Sequence, residues 1–310
     1  MLLRYRQIQH HIEFEKPVSF PTLPTFLFRS ILGKELRRLV CIFRGRPCGE
    51  CGLKFTCAYS WMFETPIEKE SPVLEGRDRA SHPFLLATDA FPHQSYQRIS
   101  LILTVIGKAI EYYPYLYYAL RRAGEIGVLR ERISYRILDV LCEDRSLLQG
   151  TDSLHPTYGI REWSMPSQVE ENRNIQDTAE SVKVFLETPL RLRIEGKYSD
   201  SFTAPQFLSI LWRRAQILCS LYGQENGKES FTLDLAKTGI RILSRDFQWK
   251  DYPYFSSRQK KLLRLGGILG EFTLQGVLRP TELALLRFGE LFHVGKNTAF
   301  GLGRYRVSRG

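Results

Sequence analysis

One succession of apolar patterns occurs twice along this chain, and the repeat constrains the fold more than any other feature. In the first half, residues 8–14 alternate between apolar and polar side chains, which predicts a half-buried strand. An apolar stripe over residues 25–39 then predicts a helix. The patterns that follow predict two strands, a helix ended by Gly124 and a further strand, at residues 83–87, 98–107, 112–123 and 133–140.

The second half repeats this order. Residues 182–194 predict one long or bent strand, and Pro205 starts a helix with a continuous apolar face. The remaining patterns predict two strands, a helix and a last strand, at residues 247–254, 266–274, 281–292 and 304–307. Each half therefore has the order βαββαβ, which is the ferredoxin-like unit. We predict an α+β protein with two tandem ferredoxin-like (RRM-like) domains.

The domain boundary is predicted within the polar segment 145–180, where strand patterns are scarce. The N-terminal domain then covers residues 1–178 and includes a cysteine-rich insertion at 41–66. The C-terminal domain covers residues 179–310 and ends in a glycine-rich loop at 293–304.

Charge and composition restrict the partners. The 310 residues include 43% hydrophobic residues, enough for two ordinary cores, and their net charge of +11 favours a polyanion such as nucleic acid or an acidic membrane surface. Neither an apolar run long enough to span a membrane nor a secretory signal is present, so we expect a cytoplasmic protein. The nucleotide-binding spacing G-x-x-x-x-G-K-[ST] is also absent, so no nucleotide cofactor is expected.

The glycine-rich loop has the composition of a phosphate-binding segment. Gly295, Gly301 and Gly303 permit a positive φ and a close approach of the backbone to a ligand. Lys296 and Arg304 place a positive charge at each edge. We therefore predict that this loop binds a ribose-phosphate backbone.

Four cysteines lie close together in the insertion. Cys41, Cys48, Cys51 and Cys57 are separated by six, two and five residues, with glycines between them that let the chain wrap around an ion. This spacing predicts a structural zinc site with four thiolate ligands and no open coordination position. An iron–sulfur cluster would use the same ligands, and four unligated thiols are the remaining alternative.

Several short motifs together resemble the RAMP superfamily of CRISPR-associated proteins, and within it the Cas six family of precursor-CRISPR-RNA endoribonucleases. They are residues 295–298 with 300–303, residues 256–261 leading to Gly266-Gly267, residues 188–190, and residues 106–107 followed by 113–115. The resemblance implies metal-independent cleavage of CRISPR repeat RNA, in which the ribose 2′-hydroxyl attacks the adjacent phosphorus. The products are a 2′,3′-cyclic phosphate and a 5′-hydroxyl. It also implies delivery of the guide RNA to a CRISPR effector complex.

Two departures from the family pattern prevent catalytic roles from being copied. His293 occupies the first glycine position of the loop motif. Relatives often carry the catalytic histidine in or just after the first helix, but residues 25–39 contain none. We instead predict catalytic roles for His293 at the mouth of the loop, Lys296 within it, and Tyr254, which can assist a proton transfer. The alternatives are a helix C-cap for His293 and an ordinary surface position for Lys296. His10, on the apolar face of the first strand, is predicted to be a core residue.

The predicted RNA contacts fall in two groups. The loop contributes Gly295, Asn297, Gly301, Gly303 and Arg304, and the basic run after Tyr252 and Tyr254 contributes Arg258, Lys260 and Lys261. The basic run has an alternative interpretation as a hairpin edge protected by charge. For the whole chain, the alternatives to a nuclease are a RAMP subunit that holds processed guide RNA without cutting it and a catalytically degenerate assembly protein.

Overall fold

A computed structural model describes residues 1–67, 74, 80–149, 153–154, 158–166, 178–223, 239–256 and 260–309. The chain divides into two compact units. The N-terminal unit contains Arg4–Glu162 and Ser220–Tyr222, and the C-terminal unit contains Met1–Leu3, Trp163–Cys219 and Gly223–Gly310.

The N-terminal unit is built on an antiparallel sheet with the strand order β2-β3-β1-β4-β5. The strands are β1 Leu2–Ser19, β2 Phe84–Thr88, β3 Ser95–Ile106, β4 Tyr135–Cys142 and β5 Arg145–Ser146. Helix α1, Pro24–Val40, lies between β1 and β2 in the chain, and α2, Tyr113–Ile126, lies between β3 and β4. This is the predicted βαββαβ order.

The alternating pattern of β1 places its apolar side chains in the core. Ile8, Ile12 and Phe14 are at most 1% exposed, whereas Gln9, His11 and Glu13 are partly exposed. His10 is also fully buried, and its ring nitrogens contact the Tyr113 hydroxyl at 2.9 Å and the Leu101 carbonyl at 3.1 Å. His10 is therefore a satisfied core residue, as predicted.

Helix α2 extends past Gly124, so the prediction that this glycine ends the helix was wrong. A Cβ atom at Gly124 would lie 2.3 Å from the carbonyl oxygen of Tyr135 in β4. The glycine is needed because the helix and the strand approach closely there. The helix ends at Ile126, and Gly127 follows it with a φ of 85°.

Short strands also occupy the described part of the segment that was expected to be poor in strands. Besides β5, they are β6 Leu148–Gln149, β7 Ser153–Leu154 and β8 Arg161–Ser164. Strands of two to four residues are too short to show a period in sequence.

The C-terminal unit repeats the topology with the strand order β12-β13-β9-β14. Its strands are β9 Ala179–Leu190, β10 Leu192–Ile194, β11 Lys197–Ser199, β12 Arg241–Ser256, β13 Lys261–Leu278 and β14 Tyr305–Arg309. Helices α3, Ala204–Tyr222, and α4, Pro280–Phe292, complete the unit. The predicted strand over 182–194 is divided, because β10 pairs with β11 in a separate small hairpin.

Local signals in the sequence explain where these elements begin and what they cover. Thr203 and Gln206 form a reciprocal capping box at the start of α3. Phe207 of α3 packs against Phe272 of β13 and Tyr305 of β14, with ring centroids 5.2 and 5.8 Å apart. Among the described residues, no helix is long and apolar enough to cross a membrane.

The two strands β12 and β13 form a hairpin that is longer than predicted. Their pairing runs from Arg241 with Gln275 to Ser256 with Lys261. β13 pairs with β9 from Ile268 to Leu278, so the hairpin continues beyond that part of the sheet. Its outer end lies near the glycine-rich loop, because Tyr254 of β12 packs against Phe300.

Candidate nucleic-acid interface

Backbone hydrogen bonds attach the glycine-rich loop to the end of β9. The amide of Gly303 donates to the Pro189 carbonyl at 3.0 Å, and the amide of Lys296 donates to the Arg191 carbonyl at 2.9 Å. Within the loop, the Val294 amide donates to the Gly303 carbonyl at 3.0 Å. Backbone hydrogen bonds therefore fix the conformation of the loop.

The glycines of the loop are required by this conformation. Gly295, Gly301 and Gly303 have φ angles of 87°, 82° and 74°, in the left-handed region. A Cβ atom at Gly303 would lie 1.8 Å from the Val294 carbonyl oxygen, and one at Gly295 would lie 2.5 Å from that of Arg191. Close backbone packing alone thus accounts for two of the three glycines.

Only part of the loop faces solvent. Gly301 and Gly303 are buried, whereas Lys296 is exposed and Gly295 and Asn297 are partly exposed. We call residues 295–297 the exposed arc. Phe300 and Arg304 of the loop are also partly exposed. RNA contacts by the buried Gly301 and Gly303 stay a prediction.

His293 is buried in this structure and does not lie at the mouth of the loop. It is 4% exposed, and burial together with the charges of Arg304 and Arg214 lowers the pKa of its ring to about 3. The ring is therefore neutral near pH 7. Its Nδ1 atom has no hydrogen-bond partner in this structure. A catalytic role for His293 stays a prediction, and it would require the ring to reach substrate from this buried position.

Arg214, a residue that sequence reasoning left without a role, caps the end of α4. Its Nε donates to the carbonyl oxygens of Phe292 and His293 at 3.0 and 2.8 Å, and its Nη2 donates to that of Phe292 at 2.7 Å. His293 does occupy the C-cap position, with a φ of 56°. The positive charge that satisfies the last carbonyls, however, comes from Arg214 rather than from His293.

Arg191 joins the loop to the long hairpin, and sequence reasoning did not find it. Its carbonyl oxygen accepts the hydrogen bond from Lys296, and its Nη1 donates to the Gly266 carbonyl at 2.8 Å. Its guanidinium also lies 3.7 Å from the ring centroid of Tyr198. Arg191 is 9% exposed, so these contacts position the exposed arc from beneath.

The remaining predicted site residues lie on the hairpin or, in the case of Arg304, at the end of the loop. The Tyr254 ring packs edge-on against Phe300 of the loop, with centroids 4.9 Å apart and an interplanar angle of 80°. Lys260 and Lys261 are exposed at the hairpin end, and Arg258 lies outside the described residues. Arg304 is partly exposed, and its Nε lies 2.8 Å from Glu187 Oε2. The structure thus brings Tyr254 to the loop.

The cysteine cluster is not arranged as a metal site in this structure. Cys41, Cys48, Cys51 and Cys57 are free and partly exposed. In the described ranges, no group of three or more histidine, cysteine, aspartate or glutamate side chains is placed to hold a metal ion. Burial raises the pKa of the Cys48 thiol. The predicted zinc site therefore has no structural support, and metal analysis of the purified protein tests it.

The structure thus contains two ferredoxin-like units, the second closed by a glycine-rich loop after its last helix. The model of the family described as CRISPR-associated endoribonuclease Cas6 matches residues 184–305. A second family model, AF_1859_N, described as an N-terminal domain, matches residues 3–157. The C-terminal part of the chain is therefore similar to the Cas6 family.

Relatives match nearly the whole chain. An uncharacterized protein of Archaeoglobus fulgidus is 22% identical over 296 residues, which cover 92% of each chain. The product complex of Cas6 (TTHA0078) is 17% identical, with a TM-score of 0.52 over 99% of this chain and 100% of that one. Thermus thermophilus Cas6 (TTHB231) is 14% identical, with a TM-score of 0.51 over 99% of both. These solved structures confirm the predicted fold class.

Proposed function

We propose that this protein is a metal-independent endoribonuclease that cleaves CRISPR repeat RNA in precursor transcripts. The observation that carries the proposal is the exposed arc, in which a backbone contact from Arg191 holds Lys296 at the surface of a segment that matches an endoribonuclease family. The match of residues 184–305 to a family of endoribonucleases supports an RNA substrate here.

The proposed reaction is an internal transesterification. The 2′-oxygen of one ribose forms a bond to the adjacent phosphorus as its proton passes to a base. The bond to the 5′-oxygen of the next nucleotide breaks, and that oxygen gains a proton. The products are a 2′,3′-cyclic phosphate and a 5′-hydroxyl.

Residues of this chain can supply charge and one proton transfer. The Lys296 ammonium would neutralise the negative charge that develops on the non-bridging oxygens of the phosphate. Electrostatic stabilisation of this kind is the largest single contribution to the rate enhancement in many enzymes. Tyr254, beside the loop through Phe300, is our candidate for a proton transfer. His293, neutral and buried, would position the loop.

RNA contacts are proposed for the exposed arc and for the neighbouring cations Arg304, Lys260 and Lys261. Lys and Arg that pair with phosphates release counterions and so favour binding at low salt. Delivery of the product to a CRISPR effector complex is part of the same proposal.

The burial of His293 favours one alternative, a RAMP-type subunit that binds processed guide RNA without cutting it. His293 is the single histidine of the C-terminal unit, and its ring does not face solvent. A site without an accessible histidine can still bind phosphates through Lys296.

Incubation of the purified protein with its cognate repeat RNA, in the presence of a chelator, separates the two functions. The nuclease converts the RNA to fragments that end in a cyclic phosphate, identified by mass spectrometry. The binding subunit shifts the RNA on a native gel and leaves it intact. Fragments that end in a 3′-hydroxyl, or cleavage that stops on chelation, would contradict the proposed reaction.

A further inference from the structure

The C-terminal sheet carries an aromatic residue on the face opposite its helices. Along β9, Val182 and Val184 are at most 1% exposed and Leu186 is 7% exposed, so this side of the strand faces the core. Lys183 and Phe185 alternate with them and are partly exposed. Phe185 therefore lies on the open face of the sheet.

Two cations lie against the Phe185 ring. The guanidinium carbon of Arg306, which pairs with Phe185 across β14 and β9, lies 4.4 Å from the ring centroid. The Lys183 Nζ lies 4.9 Å from the same centroid. The Arg306 side chain is 64% exposed, so its guanidinium is open to a ligand on the open face. We call Phe185, Arg306 and Lys183 the stacking platform.

Of the three cations Lys183, Arg304 and Arg306, Arg306 has the longest distance to its carboxylate partner. Lys183 lies 2.6 Å from Glu271, and Arg304 lies 2.8 Å from Glu187. Arg306 lies 3.8 Å from Glu187, which Arg304 already neutralises. The exposed guanidinium therefore retains charge for an anionic ligand.

The platform is continuous with the glycine-rich loop. The Thr188 hydroxyl donates to the Gly301 carbonyl at 2.8 Å and accepts from the Arg304 amide at 2.9 Å, so the end of the loop is fixed to β9. Arg306 follows Arg304 by two residues, which is roughly 7 Å along a strand. A polynucleotide strand leaving the loop past Arg304 would next meet Arg306 and Phe185.

From these contacts we propose that the platform binds an unpaired nucleotide of single-stranded RNA, with the base stacked on Phe185 and the Arg306 guanidinium. The inference rests on the proposed function, because it requires that the chain binds RNA. Aromatic rings and guanidinium planes stack on any base, since every base has a π face. The nearby positive charge favours the phosphate of a nucleotide over an apolar protein segment.

The test measures the affinity of the full-length protein for a short unstructured RNA by fluorescence anisotropy. Phe185→Leu keeps an apolar side chain and removes the ring, and we expect roughly tenfold weaker binding. Phe185→Tyr should restore affinity to within about twofold because the ring is kept. Arg306→Lys keeps the charge and removes the planar group, so it should also weaken binding.

The matched control is Arg145→Lys in the N-terminal unit. The guanidinium carbon of Arg145 lies 5.3 Å from the Tyr158 ring centroid, so this variant also keeps an exposed charge and removes a planar group from a cation–π contact. Its affinity should equal that of the parent protein. Equal losses in Arg145→Lys and Arg306→Lys would show a general preference for arginine over lysine and overturn the stacking site.

Single abasic substitutions in the RNA provide the second measurement. In the parent protein, one abasic position should weaken binding about as much as Phe185→Leu does, and it should have no further effect in that variant. If the parent binds RNA and Phe185→Leu binds equally well, the platform is wrong and the proposed function stands. If the parent binds no RNA, the proposed function fails and the platform fails with it.

Discussion

The backbone carbonyl of Arg191 accepts a hydrogen bond from the amide of Lys296 at 2.9 Å, while the guanidinium of the same arginine binds the carbonyl of Gly266. One buried residue thus fixes both the loop and the hairpin that carries Tyr254. The bond uses the backbone amide of Lys296, and the residue itself is exposed on the arc. Under the proposed function, these contacts would hold the site in place for RNA, as electrostatic catalysis requires.

Gly303→Ala should destabilise the protein strongly. The residue has a φ of 74°, and the added Cβ would lie 1.8 Å from the Val294 carbonyl oxygen. A left-handed φ alone costs about 1–2 kcal/mol, and the clash adds to it. Thermal unfolding should show the loss as a lower Tm.

Two other glycines separate the cost of the left-handed φ from the cost of the clash. Gly196 has a φ of 81° with no atom near its Cβ position, so Gly196→Ala should cost only about 1 kcal/mol. Gly52 has open space and no positive φ, so its alanine variant should stay within about 0.5 kcal/mol of the parent. Equal Tm values for all three variants would contradict the packing described for the loop.

Arg214→Met should lower the free energy of unfolding by about 2–4 kcal/mol, because it leaves the Phe292 and His293 carbonyls buried without a donor. Arg213→Met is the control, since the neighbouring side chain is exposed, and it should change stability by less than about 0.5 kcal/mol. Urea unfolding midpoints measure both. Similar midpoints for the two variants would show that Arg214 does not cap α4.

Acid should destabilise the protein through His293. The pKa of the ring is about 3 in the folded chain, against an ordinary value of 6.5, so below pH 6.5 the unfolded chain binds a proton that the folded chain excludes. The contribution of this histidine to the free energy of unfolding is complete above pH 6.5. As the pH falls below 6.5, the free energy of unfolding decreases by up to about 1.4 kcal/mol per pH unit because of this group. The pKa of His10, about 4, adds a change of the same sign.

His293→Gln should therefore flatten the dependence of unfolding free energy on pH between about pH 6 and pH 4.5, by up to one proton. His10→Gln should do the same independently. Urea unfolding at several pH values measures the slope. A slope in His293→Gln as steep as in the parent would mean that the histidine is not buried as a neutral ring.

The alternation and the caps in the sequence were sufficient to predict most of the fold. The period of two around Ile8 and Ile12 indicated the first strand, and Pro24 and Pro205 marked the starts of two helices. The role of Gly124 was missed because it depends on Tyr135, which approaches the helix only in the folded unit.

The candidate site was predicted in outline but not in its supporting contacts. The loop composition indicated Lys296 and the glycines. The burial of His293 could not be predicted, because it arises from tertiary packing, in which even the donor to its carbonyl, Arg214, is 79 residues away in sequence. Arg191 gave no signal, since an isolated arginine beside a strand is usually a surface residue.

The account depends most on Lys296, and single-turnover cleavage of repeat RNA tests it most directly. With protein in excess and chelator present, Lys296→Ala should cleave about 10²- to 10³-fold more slowly than the parent, because one preorganised charge is lost. Its Tm should not change, since the backbone bond to Arg191 remains. The exposed Lys16→Ala variant should cleave like the parent. A Lys296→Ala rate within about threefold of the parent would contradict the central claim.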